Sequence, residues 1–157
     1  MNMSSVSLEM LLKYNVPGPR YTSYPPATHF TQEPIIGPAE AGPLSLYFHL
    51  PFCARQCLYC GCTNIVTGDQ GSSAAYLDRL QREIELRVQH VSRDSEVVQV
   101  QLGGGTPTFL LPGELERLGE MIHVNFPVAA TVEAGAEIDP RGLTLEKVQA
   151  LRNAGFN

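Results

Sequence analysis

The chain has 157 residues, of which 43% are hydrophobic and 17% charged, a composition typical of one globular domain with a core of its own. Its net charge of −5 offers no basic patch for nucleic acid. No stretch approaches the roughly 20 apolar residues that span a bilayer, and residues 1–10 lack the basic region and apolar run of a secretory signal. We therefore predict a cytoplasmic protein that binds neither membrane nor nucleic acid.

The composition of the chain and the spacing of its apolar residues change at residue 44. Residues 1–43 hold most of the prolines and show no sustained period apart from a short predicted helix around Leu8–Tyr14, so they predict an extended N-terminal arm. In residues 44–157, short strand-like runs alternate with helical periods. That alternation is typical of an α/β fold built from parallel βα units.

Three strands are predicted, at residues 44–50, 97–102 and 131–138. Side chains alternate between the two faces of a strand, which divides these runs into two surfaces. One surface is apolar and should lie under the helices: Leu44, Leu46, Phe48, Leu50, Val98, Val100, Leu102, Val132, Ala134, Ala136 and Ile138. The other is polar: Ser45, Tyr47, His49, Gln99, Gln101, Glu133, Gly135 and Glu137. Since a parallel sheet covered on both sides is apolar throughout, this surface predicts a cleft for a polar ligand, the alternative being one wet face.

Each strand is followed by a predicted helix. The first has apolar residues at helical spacing behind Ser72 or Ser73 as N-cap. The second begins at Pro112, a residue favoured in the first helical position. The third begins behind Thr144 and stops at Gly155.

All four cysteines lie between residues 53 and 62, directly after the first strand. In a reducing cytosol such a cluster indicates metal ligation or redox chemistry, with disulfides the minor alternative. Structural zinc sites usually take two separated ligand pairs, whereas Cys53, Cys57 and Cys60 offer three thiolates on one loop. This spacing favours an iron-sulfur cluster with one open iron. Cys62 could be a fourth ligand, a neighbour of the cluster or a small hydrophobe, and the spacing favours a neighbour.

Apolar and glycine-rich segments surround this loop. Phe52, Leu58 and Tyr59 could shield a cluster from water. Residues 103–108, Gly-Gly-Gly-Thr-Pro-Thr, follow the second strand and could present backbone amides to a ligand, a flexible turn being the alternative. No lysine follows at the spacing of a phosphate-binding loop. Glu137 could accept hydrogen bonds from ligand hydroxyls, or it could be a solvated carboxylate.

The spacing of Cys53, Cys57 and Cys60 resembles the signature of the radical S-adenosylmethionine (SAM) enzymes, and the glycine run resembles their second SAM-contacting motif. Four segments are similar to the oxygen-independent coproporphyrinogen III oxidase family of haem biosynthesis: residues 18–25, 46–53, 60–62 and 137–141. The first of them separates that family from the related haem-chaperone branch.

The resemblance implies a partial (β/α) barrel that binds a 4Fe-4S cluster and two SAM molecules. By this likeness Cys53, Cys57 and Cys60 ligate the cluster, SAM chelates the open iron, and Cys62 lies near without ligating. The remaining implied SAM contacts are Tyr47, Gly104 and Glu137 for the first molecule, Gly105 and Thr106 for the second, and Tyr59 for adenine.

The implied reaction is the oxidative decarboxylation of coproporphyrinogen III to protoporphyrinogen IX by a 5′-deoxyadenosyl radical. The resemblance also implies a flavodoxin-type or ferredoxin-type electron donor and a monomer. Family members are several times longer, so an N-terminal fragment is expected. The alternatives are another radical SAM protein of tetrapyrrole metabolism, such as a haem chaperone, and a non-catalytic metal-binding module.

Overall fold

The computed structural model describes residues 7–14, 41–92 and 94–157. The chain divides into two units, Met1–Ile36 and Gly37–Asn157. Helix α1, Leu8–Tyr14, belongs to the first unit and confirms the predicted short helix. The motif at 18–25 lies outside the described residues. Within those residues, no helix has the length and apolarity required to cross a membrane.

The second unit is a partial α/β barrel of three parallel βα units. Its main sheet has three long strands, which lie side by side in their sequence order, and both strand pairs are parallel. Two short strands within the first βα unit, between its long strand and its helix, form a separate parallel pair. The strands are β1 Leu44–Leu50, β2 Phe52–Cys53, β3 Ile65–Val66, β4 Val97–Gly104 and β5 Val128–Ala136. The predicted bounds of β1 are confirmed, whereas β4 runs on into the glycines and β5 lies nearer the N-terminus than predicted.

Three helices cover the sheet: α2 Gly71–Arg87, α3 Pro112–Asn125 and α4 Leu145–Asn153. The start of α3 is confirmed, and Glu114 there accepts a hydrogen bond from the backbone of Leu111. The start of α4 is confirmed too, because Thr144 Oγ1 accepts from Lys147 N. Gly155, with φ +93°, ends it as a Schellman motif.

The predicted serine cap of α2 is wrong. The helix begins at Gly71, whose amide donates to Asp69 Oδ1 at 2.9 Å. Ser73 is instead buried in the first turn, and its hydroxyl contacts the Glu114 carboxylate of α3. The serine therefore joins two helices instead of capping one.

The apolar face of the sheet packs under the helices as predicted, with two exceptions. The core includes Phe48, Leu50, Val100, Leu102, Leu77, Ile84, Leu115, Leu118 and Ile122. Val98 is 42% exposed, because the register shifts between Val97 and Gln99 and Val97 takes the inward position. Ile138 is 47% exposed, because β5 has already ended.

Asn157 lies alongside β5. Its backbone N–H donates to Ala134 O at 3.1 Å, and its side-chain amide donates to Val132 O at 2.9 Å. The chain after α4 thus returns to the sheet beside β5, as a parallel βα repeat requires.

Candidate functional site

A short strand pair closes the base of the cysteine loop. Phe52 and Cys53 of β2 pair with Ile65 and Val66 of β3, and Thr67 N donates to Cys53 O at 3.0 Å. The loop of residues 54–64 is therefore held at both ends, directly after β1. Such short strands carry no periodic signal, so they were not predicted from the sequence.

The four cysteines are free thiols with graded exposure. Cys53 is buried, Cys57 and Cys60 are half-buried, and Cys62 is exposed. A turn brings Cys60 N within 3.1 Å of Cys57 O. Desolvation first, and then the neighbouring Cys60 thiol, raise the pKa of the Cys62 thiol above its ordinary value.

Two sulfur atoms have polar neighbours. Asn64 Nδ2 donates to Cys60 Sγ at 3.0 Å, and Thr106 Oγ1 lies 3.6 Å from Cys53 Sγ. The second contact joins the cysteine loop to the residue that follows the glycine run. The predicted cysteine and glycine motifs thus meet at the carboxyl ends of β1 and β4.

The glycine run is a close-packed segment, which excludes the flexible-turn alternative. A Cβ on Gly103 would stand 3.0 Å from Glu137 Oε1, and one on Gly104 would stand 2.6 Å from His49 Cε1. Gly104 also has φ +109°, a conformation that residues with a side chain rarely adopt. A Cβ on Gly105 would lie 2.7 Å from Phe52 O. The backbone here approaches its neighbours too closely for any side chain.

Tyr47 and Glu137 flank the glycines on the polar face. Glu137 Oε2 accepts from Gly104 N at 3.3 Å, and Gly103 lies against both side chains. Tyr47 is 58% exposed. Desolvation first, then the Glu137 carboxylate, raise the pKa of the Tyr47 phenol above its ordinary value. These groups form a polar corner that remains open to a ligand.

His49 connects this corner to the cysteine loop. Its Nε2 lies 2.8 Å from Thr63 O, and its Nδ1 lies 3.2 Å from the Tyr47 hydroxyl. With Nε2–H donating to the carbonyl, Nδ1 accepts from tyrosine. Strand alternation predicted that His49 and Tyr47 share a face, but nothing in the sequence indicated the contact with Thr63.

The aromatic and apolar side chains around the loop do not form the predicted shield against water. Phe52 packs in the core, with its ring centroid 5.4 Å from those of Tyr76 and Phe109. Leu58 is fully exposed and Tyr59 is 91% exposed. Neither of these two side chains covers the thiols.

The cysteine loop offers donors for a cluster and not for a single metal ion. Among residues 7–14, 41–92 and 94–157, no three His, Cys, Asp or Glu side chains stand close enough to hold one metal ion. A four-iron cluster gives each thiolate an iron of its own, so its ligands stand farther apart than those of a single ion. Three reduced thiols on one clamped loop fit that donor set.

Comparisons with known proteins agree with this geometry. A family model described as "Radical SAM superfamily" matches residues 47–157. An oxygen-independent coproporphyrinogen III oxidase of Pseudomonas aeruginosa is 45% identical over 95% of this chain and 35% of its own length. One from Mannheimia haemolytica is 41% identical over 85% of this chain and 95% of its own length.

A solved structure is similar as well. It is a coproporphyrinogen III oxidase from Escherichia coli, described as a radical SAM enzyme, with a TM-score of 0.77 and 37% identity. The match covers 94% of this chain and 34% of that one. The chain thus spans about a third of the length of most of the relatives named here.

Proposed function

The chain belongs to the radical SAM superfamily and, within it, to the oxygen-independent coproporphyrinogen III oxidase family, and from this premise we propose that it takes part in the oxidative decarboxylation of coproporphyrinogen III to protoporphyrinogen IX. Membership of the superfamily implies use of SAM and an iron-sulfur cluster. The observation that carries the proposal is the contact of the clamped cysteine loop, through His49, with the polar corner of Tyr47, Gly104 and Glu137.

In this proposal Cys53, Cys57 and Cys60 ligate a 4Fe-4S cluster, and Cys62 lies near without ligating. The polar corner would bind the first SAM, with the Glu137 carboxylate accepting from ligand hydroxyls and the Tyr47 hydroxyl beside it. Gly105 and Thr106 would contact a second SAM molecule, and the exposed ring of Tyr59 would cover an adenine. The glycines support this, because their missing Cβ atoms let Glu137, Tyr47 and His49 pack against the run and form the polar corner.

When bound, the cluster and SAM supply one-electron chemistry strong enough to remove a hydrogen atom from a propionate side chain. The protein orients the ligands and keeps them in place. The His49 contacts with Thr63 and Tyr47 fix the cysteine loop relative to the polar corner. A flavodoxin-type or ferredoxin-type electron donor, a monomeric state and a cytoplasmic location complete the proposal.

The experiment is an anaerobic assay of the reconstituted chain with SAM, coproporphyrinogen III and a reductant, which follows 5′-deoxyadenosine and protoporphyrinogen IX. Glu137→Gln is compared with Glu133→Gln, which changes an exposed carboxylate on the same face of β5. We expect Glu137→Gln to raise the SAM concentration that gives half-maximal 5′-deoxyadenosine formation about tenfold, as the loss of one charge-assisted hydrogen bond would. Glu133→Gln should leave that concentration unchanged. A cluster-loaded chain that cleaves no SAM contradicts the proposal, as do equal effects of the two variants.

A further inference from the structure

A cavity of about 450 Å³ opens beside the cysteine loop, where the starts of α2 and α4 meet the 3₁₀ turn at Pro107–Phe109. Arg55, Arg141 and Lys147 line it, together with one carboxylate, Asp139. Three cations against one anion make the lining positive, whereas the whole chain has a net charge of −5. A concave positive site on an acidic protein attracts a small anion.

Arg141 is fixed at the cavity wall by Asp139. The Asp139 carboxylate accepts from Arg141 Nε at 2.9 Å and from Nη2 at 2.6 Å. The backbone N–H of Arg141 also donates to Asp139 Oδ1 at 3.0 Å, so both its main chain and its side chain are held in place. Because a guanidinium has five N–H donors, more than these partners use, Arg141 can still donate to a ligand.

Lys147 and Thr108 add polar groups to the same wall. The Lys147 ammonium is half-buried and donates to Thr108 O, which leaves two of its three donors. The Thr108 side chain is buried, and its hydroxyl has no hydrogen-bond partner among the described residues. Thr108 therefore positions the Lys147 ammonium through its carbonyl oxygen.

We propose that this cavity is a carboxylate-binding subsite, in which Arg55, Arg141 and Lys147 hold a propionate of the tetrapyrrole beside the cysteine loop. The inference rests on the proposed function, because that function brings a substrate with several propionates, not all of which react. Arginine matches a carboxylate with paired donors. Ala54 and Arg55 of the cysteine loop line the cavity themselves, and Thr106, which also lines it, lies 3.6 Å from Cys53 Sγ, so the subsite adjoins the loop.

The test is a fluorescence titration of the cluster-reconstituted chain with coproporphyrin III, the stable oxidised form of the substrate. Its tetramethyl ester serves as a neutral ring. Arg55→Gln and Lys147→Gln are compared with Arg152→Gln, which removes an exposed cation from the same helix, α4. We expect each of the first two to weaken coproporphyrin binding about threefold to tenfold, as for partly exposed charge pairs. Arg152→Gln should leave it unchanged, Lys147→Arg should preserve it, and no variant should alter ester binding.

SAM carries a carboxylate too, so equilibrium dialysis with SAM is run on the same variants. Loss of SAM affinity with unchanged coproporphyrin affinity would assign the cavity to SAM and overturn the subsite. Unchanged affinity for both ligands would also overturn it, while the proposed function would stand if the reconstituted parent chain still cleaves SAM. A parent chain that cleaves SAM but binds no coproporphyrin would contradict both the subsite and the proposed substrate.

Discussion

Replacement of Gly104 by alanine should strongly destabilise the chain. The backbone of Gly104 has φ +109°, which costs a residue with a side chain about 1–3 kcal/mol. The new methyl group would stand 2.6 Å from the His49 ring, which therefore has to move. Movement breaks the contacts of His49 with Thr63 O and the Tyr47 hydroxyl, each worth about 0.5–1.5 kcal/mol. Alanine also lowers the conformational entropy of the unfolded chain, which offsets the destabilisation by about 0.4–1 kcal/mol. We expect the free energy of unfolding to fall by about 3 kcal/mol.

The assay is urea denaturation followed by far-UV circular dichroism, since the chain has no tryptophan. The matched control is Gly113→Ala, because a Cβ at Gly113 meets nothing within 4 Å and the residue lies in the first turn of α3. The control should keep or slightly raise the free energy of unfolding. If Gly104→Ala unfolds within about 0.5 kcal/mol of the parent chain, the steric argument for this glycine is wrong.

Gly119→Ala places a methyl group 2.5 Å from Ala154 Cβ and should push α3 from α4, which lowers the free energy of unfolding by about 2 kcal/mol. Urea denaturation should show this loss, and Gly119→Ala/Ala154→Gly should not recover it, because Ala154 Cα would still stand 2.6 Å from the new methyl group; an unchanged free energy of unfolding in Gly119→Ala would contradict this contact. Thr144→Ala removes the N-cap of α4 and should cost about 1 kcal/mol in the same assay, whereas a neutral effect would mean that the cap contributes nothing. Hydrogen bonds from Arg141 hold the pKa of Asp139 at about 2, below its ordinary 3.8, so the stabilisation is present above pH 3.8 and is lost as the pH falls toward 2. Carboxyl NMR titration should show this pKa rising in Arg141→Gln, and an unchanged value would refute the pairing.

Strand alternation and helix signals predicted much of the fold because they are local properties of the chain. The bounds of β1, the helix start at Pro112 and the cap at Thr144 follow from residue type and spacing. The polar face was predicted by the same counting, and the structure brings Tyr47, Gly104 and Glu137 together on it. Their roles toward SAM stay predictions.

The errors come from contacts that no local pattern encodes. The inward position of Val97 depends on a register shift against β1 and β5. The position of Ser73 predicts a helix cap, but in the structure its hydroxyl donates to Glu114 of α3. The bond from His49 to Thr63 needs the cysteine loop to fold back on β1. Each of these depends on tertiary packing.

The most direct test of the account is the iron and acid-labile sulfide content of the chain after anaerobic reconstitution. The parent chain is compared with variants in which each cysteine is replaced by alanine. The account predicts equal amounts of iron and sulfide in the parent chain and in Cys62→Ala, and their loss in Cys53→Ala, Cys57→Ala and Cys60→Ala. Bound zinc without sulfide, or loss of the cluster in Cys62→Ala alone, would contradict the assignment of these three cysteines as cluster ligands.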